Sequence, residues 1–207
     1  MDAAALNLGH LLALAAALGW ASGLRLYAVV FFTGLAGALG WVPLPAGLQV
    51  LQHPLVLGAA GLLGLLEFVV DKIPGLDSLW DALHTVIRIP AGAALAAAVF
   101  GGDQAAWAVV AGLAGATLAA TSHLAKTTTR AAVNTSPEPF SNVALSLAGD
   151  AAVPAMLWLA WTHPALFAVA LLLTLALMVS VTVLLLKFLK SLIRSLRDRF
   201  GEARATA

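Results

Sequence analysis

The chain has no cysteine. That excludes disulfides, thiolate catalysis and cysteine-ligated zinc. It also has little charge: Asp, Glu, Lys and Arg make up 10% of 207 residues, against about 25% in soluble domains. Apolar residues reach 61% and mean hydropathy is +0.96, so an ordinary soluble domain is excluded. The first basic residue is Arg25. The basic n-region of a secretory signal is therefore missing, and the apolar stretch after Asp2 is expected to stay as a membrane helix. A Walker loop, a dinucleotide fingerprint and a nucleophile elbow are absent too. No enzyme activity, no cofactor and no nucleic-acid partner is expected.

What is present is apolar length. A spanning helix needs about 20 apolar residues, and seven stretches qualify, at 4–20, 24–41, 54–72, 85–101, 104–122, 142–161 and 164–187. Gly19-Trp20-Ala21-Ser22-Gly23 reads as a tight turn between the first two, which span the membrane or form a re-entrant hairpin. Basic residues sit at alternate connections: Arg25, then Lys72 and Arg88, then Lys126 and Arg130, then the tail. The positive-inside rule thus predicts an outside N-terminus and a cytoplasmic C-terminus in a bacterial inner membrane. The expected fold is an all-α polytopic membrane protein of about seven transmembrane helices, one domain over 1–187 with a basic cytoplasmic tail at 188–207. The tail carries six Lys/Arg over 187–204 and is expected to rest on anionic lipid.

A weak internal repeat is also visible. His53-Pro54 and His163-Pro164 open two helices at an offset of 163 − 53 = 110, and Arg25 and Arg130 recur at 130 − 25 = 105. This suggests a three-plus-one-plus-three parallel repeat, 4–72 and 104–187, of the kind from which transporters are built.

Most charges outside the tail fall into two blocks. In EFVVDKIPGLDSLWDALHTVIR, Glu67 and Asp71 are four apart and share a helix face. Pro74-Gly75 stops that helix and Asp77 can cap the next one. Asp77, Asp81, His84 and Arg88 then follow on one face, so 76–88 reads as an amphipathic interfacial helix or a re-entrant segment. Asp77, Asp81 and His84 are weak candidates for a metal site. In the second block, HLAKTTTRAAVNTSPEPFSN, Lys126 and Arg130 share a face, and Asn134, Glu138 and Asn142 follow. Ser141 or Asn142 can cap the next helix, whose N-terminal end beside the two bases would suit an anion. Asp150 lies two turns into that helix, placed to serve as counter-ion for Arg130 or Arg25, and Arg25 is also within reach of Glu67. Ionised groups at membrane depth are costly, so two compact blocks point to use.

GLRLYAVVF, LLEFVVDKIPGLDSLWD, Pro90-Ala91-Gly92 and the Thr/Arg/Asn block resemble one bacterial membrane family, catalogued as domain of unknown function 4126. Ile73, Pro74, Asp77 and Asp81 carry its most distinctive portion, and Arg25 and Glu67 also fit. The resemblance implies membership and no activity. The helix order is similar to that of the SWEET sugar transporters, whose proline-glutamine motif is missing here, so no sugar is implied.

Three functions are open on these grounds. One is a small secondary transporter moving an ion or small polar or anionic solute through an inward-facing charged cavity. Another is a flippase or binding protein for a phosphate-bearing lipid, which would need a groove open to lipid beside Arg130. The last is a non-catalytic scaffold, which would pair every charge and leave no cavity. Homo-oligomers suit all three.

Overall fold

The computed structural model describes residues 6–135 and 140–205. Among them every regular element is helical: α1 (Leu8–Ala38), α2 (Pro54–Val70), α3 (Leu76–Ala98), α4 (Ala105–Val133), α5 (Phe140–Thr162) and α6 (Pro164–Ala205). Short 3-10 turns cover Ala46–Gln52 and Gly102–Gln104. Four helices are long and apolar enough to cross a membrane: α1, α4, α5 and the Pro164–Arg194 part of α6. The 3-10 turn before α2 and α2 itself form a fifth such unit, bent by 70°.

The polarity of the molecule is inverted relative to a soluble protein. Arg88, Asp77 and Asp71 are 0% exposed, while Leu55 and Val86 are each 77% exposed. Leu62, Leu83, Leu113 and Leu172 also face outward. Water would reverse this arrangement and lipid favours it. This is the construction of a helical membrane protein.

α1 is the central element, with Leu14, Leu18, Trp20 and Val29 fully buried. The turn expected at 19–23 is not there. Those residues are helical and buried, and their glycines serve close packing instead. A Cβ on Gly19 would strike the backbone of Gly115, and one on Gly23 would strike Ser122 Oγ and the Ala119 carbonyl. Small residues at helix contacts are the usual device where lipid supplies no hydrophobic drive. The break falls at Arg25, whose φ of −146° and ψ of 70° are non-helical.

Contacts on either side of that break give the course of the chain. Up to Leu24, α1 runs with α4: Gly19 lies by Gly115, Gly23 by Ala119, and the Leu24 carbonyl by Lys126. Beyond Arg25 it runs against α2, with Tyr27 by Gly64, Phe31 by Gly61 and Gly34 by Leu57. α3 is antiparallel to α4, since Ala96 meets Gly115 while Asp81 meets Lys126. Gly47 abuts Ala98, so α2 starts beside the end of α3. The second half of α1 therefore runs against the first, and the chain folds back at Arg25.

Two further expectations are corrected. Residues 76–88 are not a separate interfacial or re-entrant segment but the first half of α3, continuous through Pro90. Their polar face is buried, and residues of the apolar face that was expected to dip into the membrane surface (Leu76, Leu79, Leu83, Ile87) lie on the exterior. The last helix does not stop at 187; α6 is one helix of 42 residues. Lys187, Lys190, Arg194 and Arg197 are exposed along it at spacings of three or four.

Candidate functional site

The two charged blocks meet. The short turn between α2 and α3 places Asp71 and Asp77 against α4, and the fold-back at Arg25 brings that side chain to the same end of the bundle. Asp71 is the hub. Its Oδ2 accepts from Arg25 in a very short contact, from Lys126 Nζ at 2.9 Å, and lies 3.3 Å from Arg130 Nη2. Lys126 also reaches Asp81 Oδ1 at 2.9 Å and donates to the Leu24 carbonyl, beside the break at Arg25.

Asp77 sits in the first turn of α3. Its Oδ1 accepts from the backbone N–H of Gly75 and Ser78 at 2.8 and 2.6 Å, but the N-cap position is Gly75 and Asp77 lies one residue inside the helix, so the expected cap is corrected to a first-turn contact. Gly75 itself has φ +87°, a conformation that favours glycine. Asp77 Oδ2 takes Arg130 Nη1 at 2.8 Å and Asn142 Nδ2 at 3.0 Å. Asn134 Nδ2 approaches both Asp77 oxygens and donates to Ser78 Oγ. Asn142 lies inside α5 with its amide turned to Asp77, not serving as the cap that was expected.

Arg88 forks deeper in the bundle, donating to Glu67 Oε1 at 2.6 Å and Asp81 Oδ1 at 2.7 Å. The expected partnership of Glu67 with Arg25 is therefore replaced. Arg25 pairs with Asp71 and, through Nη2, with Asp150 Oδ1 at 2.9 Å, while also donating to the Ser146 carbonyl and hydroxyl. Lys72 completes this edge with Asp150 Oδ2 at 2.9 Å. Asp150 as the counter-ion of Arg25 is as expected.

Of the predicted residues, Arg25, Glu67, Asp71, Asp77, Asp81, Arg88, Lys126, Arg130, Asn134, Asn142 and Asp150 form one network. His84 stands beside it. Its Nδ1 faces the Trp80 carbonyl at 2.8 Å, so that nitrogen carries a proton, and its Nε2 lies 3.0 Å from the Tyr27 hydroxyl. Glu138 lies outside the described residues. Asp77, Asp81 and His84 do not converge as a metal site, and no group of three or more His, Asp or Glu side chains does so among the described residues.

Sequence reasoning missed Ser146 and His123 as members, and counted Lys72 among the balancing bases without placing it in the site. His123 Nδ1 lies 3.3 Å from Arg88 Nη1, and its Nε2 lies 2.8 Å from Thr85 Oγ1. Arg88 can only donate, so His123 is neutral, with its proton on Nε2. The signals were present. His123, Lys126 and Arg130 share a helix face, and so do Asn142, Ser146 and Asp150.

Two cavities flank the network on opposite sides of α4. One, of about 530 Å³, lies between α3 and α4 beside Ser78, Asp81, Thr85, His123 and Arg130. The other, of about 620 Å³, lies among α1, α4, α5 and α6. Its walls include Leu145, Ala152, Met156, Leu177 and Val181, and Arg25, Lys126 and Arg130 border it. Three bases against an apolar chamber suit a molecule with an anionic group and an apolar body.

Fold and site together define a helical membrane protein built around a buried, charge-balanced network. The family model described as Domain of unknown function (DUF4126) matches residues 12–183, and the chain belongs to that family. No curated protein and no solved structure matches it.

Proposed function

We propose that this protein binds a phosphate-bearing lipid, or a closely similar anionic amphiphile, and carries its headgroup through the membrane. The supporting observation is the 620 Å³ cavity, apolar along α5 and α6 and bordered by Arg25, Lys126 and Arg130. A scaffold that only pairs its charges has no use for such a chamber. A transporter of small ions would favour a polar lining over this largely hydrocarbon one.

In this reading the chain makes seven crossings of a bacterial inner membrane, N-terminus outside and C-terminus in the cytoplasm. The basic groups of α6 at 187, 190, 194 and 197 then lie along anionic headgroups at the cytoplasmic surface.

The test is lipid movement in proteoliposomes holding the full chain. A fluorescent phosphatidylglycerol should become accessible to an external quencher faster than in protein-free vesicles, and a zwitterionic phosphatidylcholine should not. Lys126→Gln removes a charge-assisted hydrogen bond worth about 1.5–3 kcal/mol, so the anionic lipid should move at least about tenfold more slowly. Equal rates for both lipids, or phosphate uptake without lipid movement, would overturn the proposal.

A further inference from the structure

The cations that border the cavity already hold an anion. Arg25, Lys126 and Arg130 converge on one oxygen, Asp71 Oδ2, and Asp71 is fully buried. Its other oxygen, Oδ1, is also buried and has no hydrogen-bond partner. Asp71 thus presents to the three bases what a ligand's phosphate oxygen would present.

The charges around it balance. Arg25, Lys72, Arg88, Lys126 and Arg130 face Glu67, Asp71, Asp77, Asp81 and Asp150, five bases against five acids. An incoming monoanion would leave this buried cluster one negative charge in excess. A carboxylate pushed off its three bases at such depth is expensive to keep ionised, and such a group neutralises instead.

We infer that Asp71 is a tethered competitor for the ligand: the anionic group displaces its carboxylate from Arg25, Lys126 and Arg130, and Asp71 leaves as the neutral acid. This rests on the proposed function and adds its coupling. The step balances: one phosphodiester anion comes in, one proton from water joins Asp71 at Oδ1, no covalent bond to the ligand forms, and the cluster keeps its net charge. The charged groups around Asp71 are Arg25 from α1, Glu67 one turn back on α2, Arg88 from α3, and Lys126 and Arg130 from α4; Asp81 and Asp77 of α3 share Lys126 and Arg130 with it, Asp150 of α5 shares Arg25, and His123 of α4 lies behind Arg88. Asp71 is the acid that shares all three cavity-bordering bases, so it is the one the ligand must dislodge.

The experiment is titration calorimetry of the full-length protein in detergent with dihexanoyl phosphatidylglycerol, whose phosphodiester does not titrate near neutral pH. Runs in two buffers of different ionisation enthalpy count the protons. The wild type should take up about one proton per lipid, and its affinity should fall up to about tenfold for each unit rise in pH. Asp71→Asn, which keeps the shape and removes the competing charge, should bind at least about tenfold more tightly, with no proton uptake and a flat pH profile. Diethyl phosphate, the same anion without tails, separates a lipid site from a free-anion site. Much weaker binding of diethyl phosphate supports the lipid; equal binding shows that the tails are not recognised and overturns the lipid reading.

Binding of the lipid to the wild type without proton uptake, or weaker binding by Asp71→Asn, overturns the inference and leaves the lipid site standing. No binding by either protein overturns the proposed function and the inference with it. The wild-type proton count stands alone if the variant does not fold.

Discussion

Arg88 is fully buried, and its two arms end on Glu67 and Asp81, with His123 as a third neighbour. Removing one partner of a buried ion pair leaves the other charge without compensation, at a cost of about 3–5 kcal/mol. Arg88→Ala strands Glu67, whose one ion pair among the described residues is with Arg88, while Asp81 keeps Lys126 at 2.9 Å; the change should be strongly destabilising. Arg88→Lys keeps the charge but cannot fork, so it should fall between the variant and the wild type. Adding Glu67→Gln to Arg88→Ala should recover much of the loss. Thermal unfolding of the detergent-solubilised protein orders these variants, and a double variant no more stable than Arg88→Ala would refute the argument. At this scale the sequence was informative about identity and not about pairing. The rarity of charge marked Glu67, Asp71, Asp77, Asp81 and Arg88 without any structure. That Glu67 would choose Arg88 over Arg25 depended on where α1 breaks, a matter of a single φ and ψ.

α1, α3 and α4 approach one another through glycine. Gly23 faces the Ala119 backbone and Ser122, and Gly115 faces Gly19, Gly92 and Ala96. A methyl group at Gly23 has nowhere to go, because what it meets is mostly main chain. Gly64 is a built-in control: it is also helical, but a Cβ there would find its nearest neighbours at an ordinary 3.7 Å. Gly23→Ala should lower stability by about 1–3 kcal/mol, the usual cost of overpacking. Gly64→Ala should leave it unchanged or raise it slightly, since alanine is the better helix former. Equal unfolding midpoints for the two would show that the α1–α4 contact is not tight. The same glycines explain why 19–23 misled. In water Gly-x-x-x-Gly with a serine reads as a turn; between helices in lipid it reads as a contact, and periodicity alone does not separate the two. α3 misled differently. Its amphipathic pattern was legible, but which face lies inside depends on the solvent, and here the charged face is the buried one.

Direction is the property of the whole molecule that the packing constrains most. The fold-back at Arg25 and the antiparallel α3 and α4 put the turn at 102–104 at one end of the bundle. The α2–α3 turn and the end of α4 lie at the other, with the charged network. The sequence anticipated that grouping through the alternation of Lys and Arg, a rule about insertion and not about contacts. It could not say that the first two apolar stretches join without a loop. The chain has no cysteine, so single cysteines report position without background. Gly102 and Thr135 are both exposed and sit at opposite ends. In the proposed orientation, Gly102→Cys should react with a membrane-impermeant maleimide in intact cells, and Thr135→Cys only after the inner membrane is opened. The reverse pattern would invert the protein and move the Asp71 cluster to the outer side. Labelling of both in intact cells would refute a spanning arrangement, because the network would then stand at the same surface as the turn it is built to face away from.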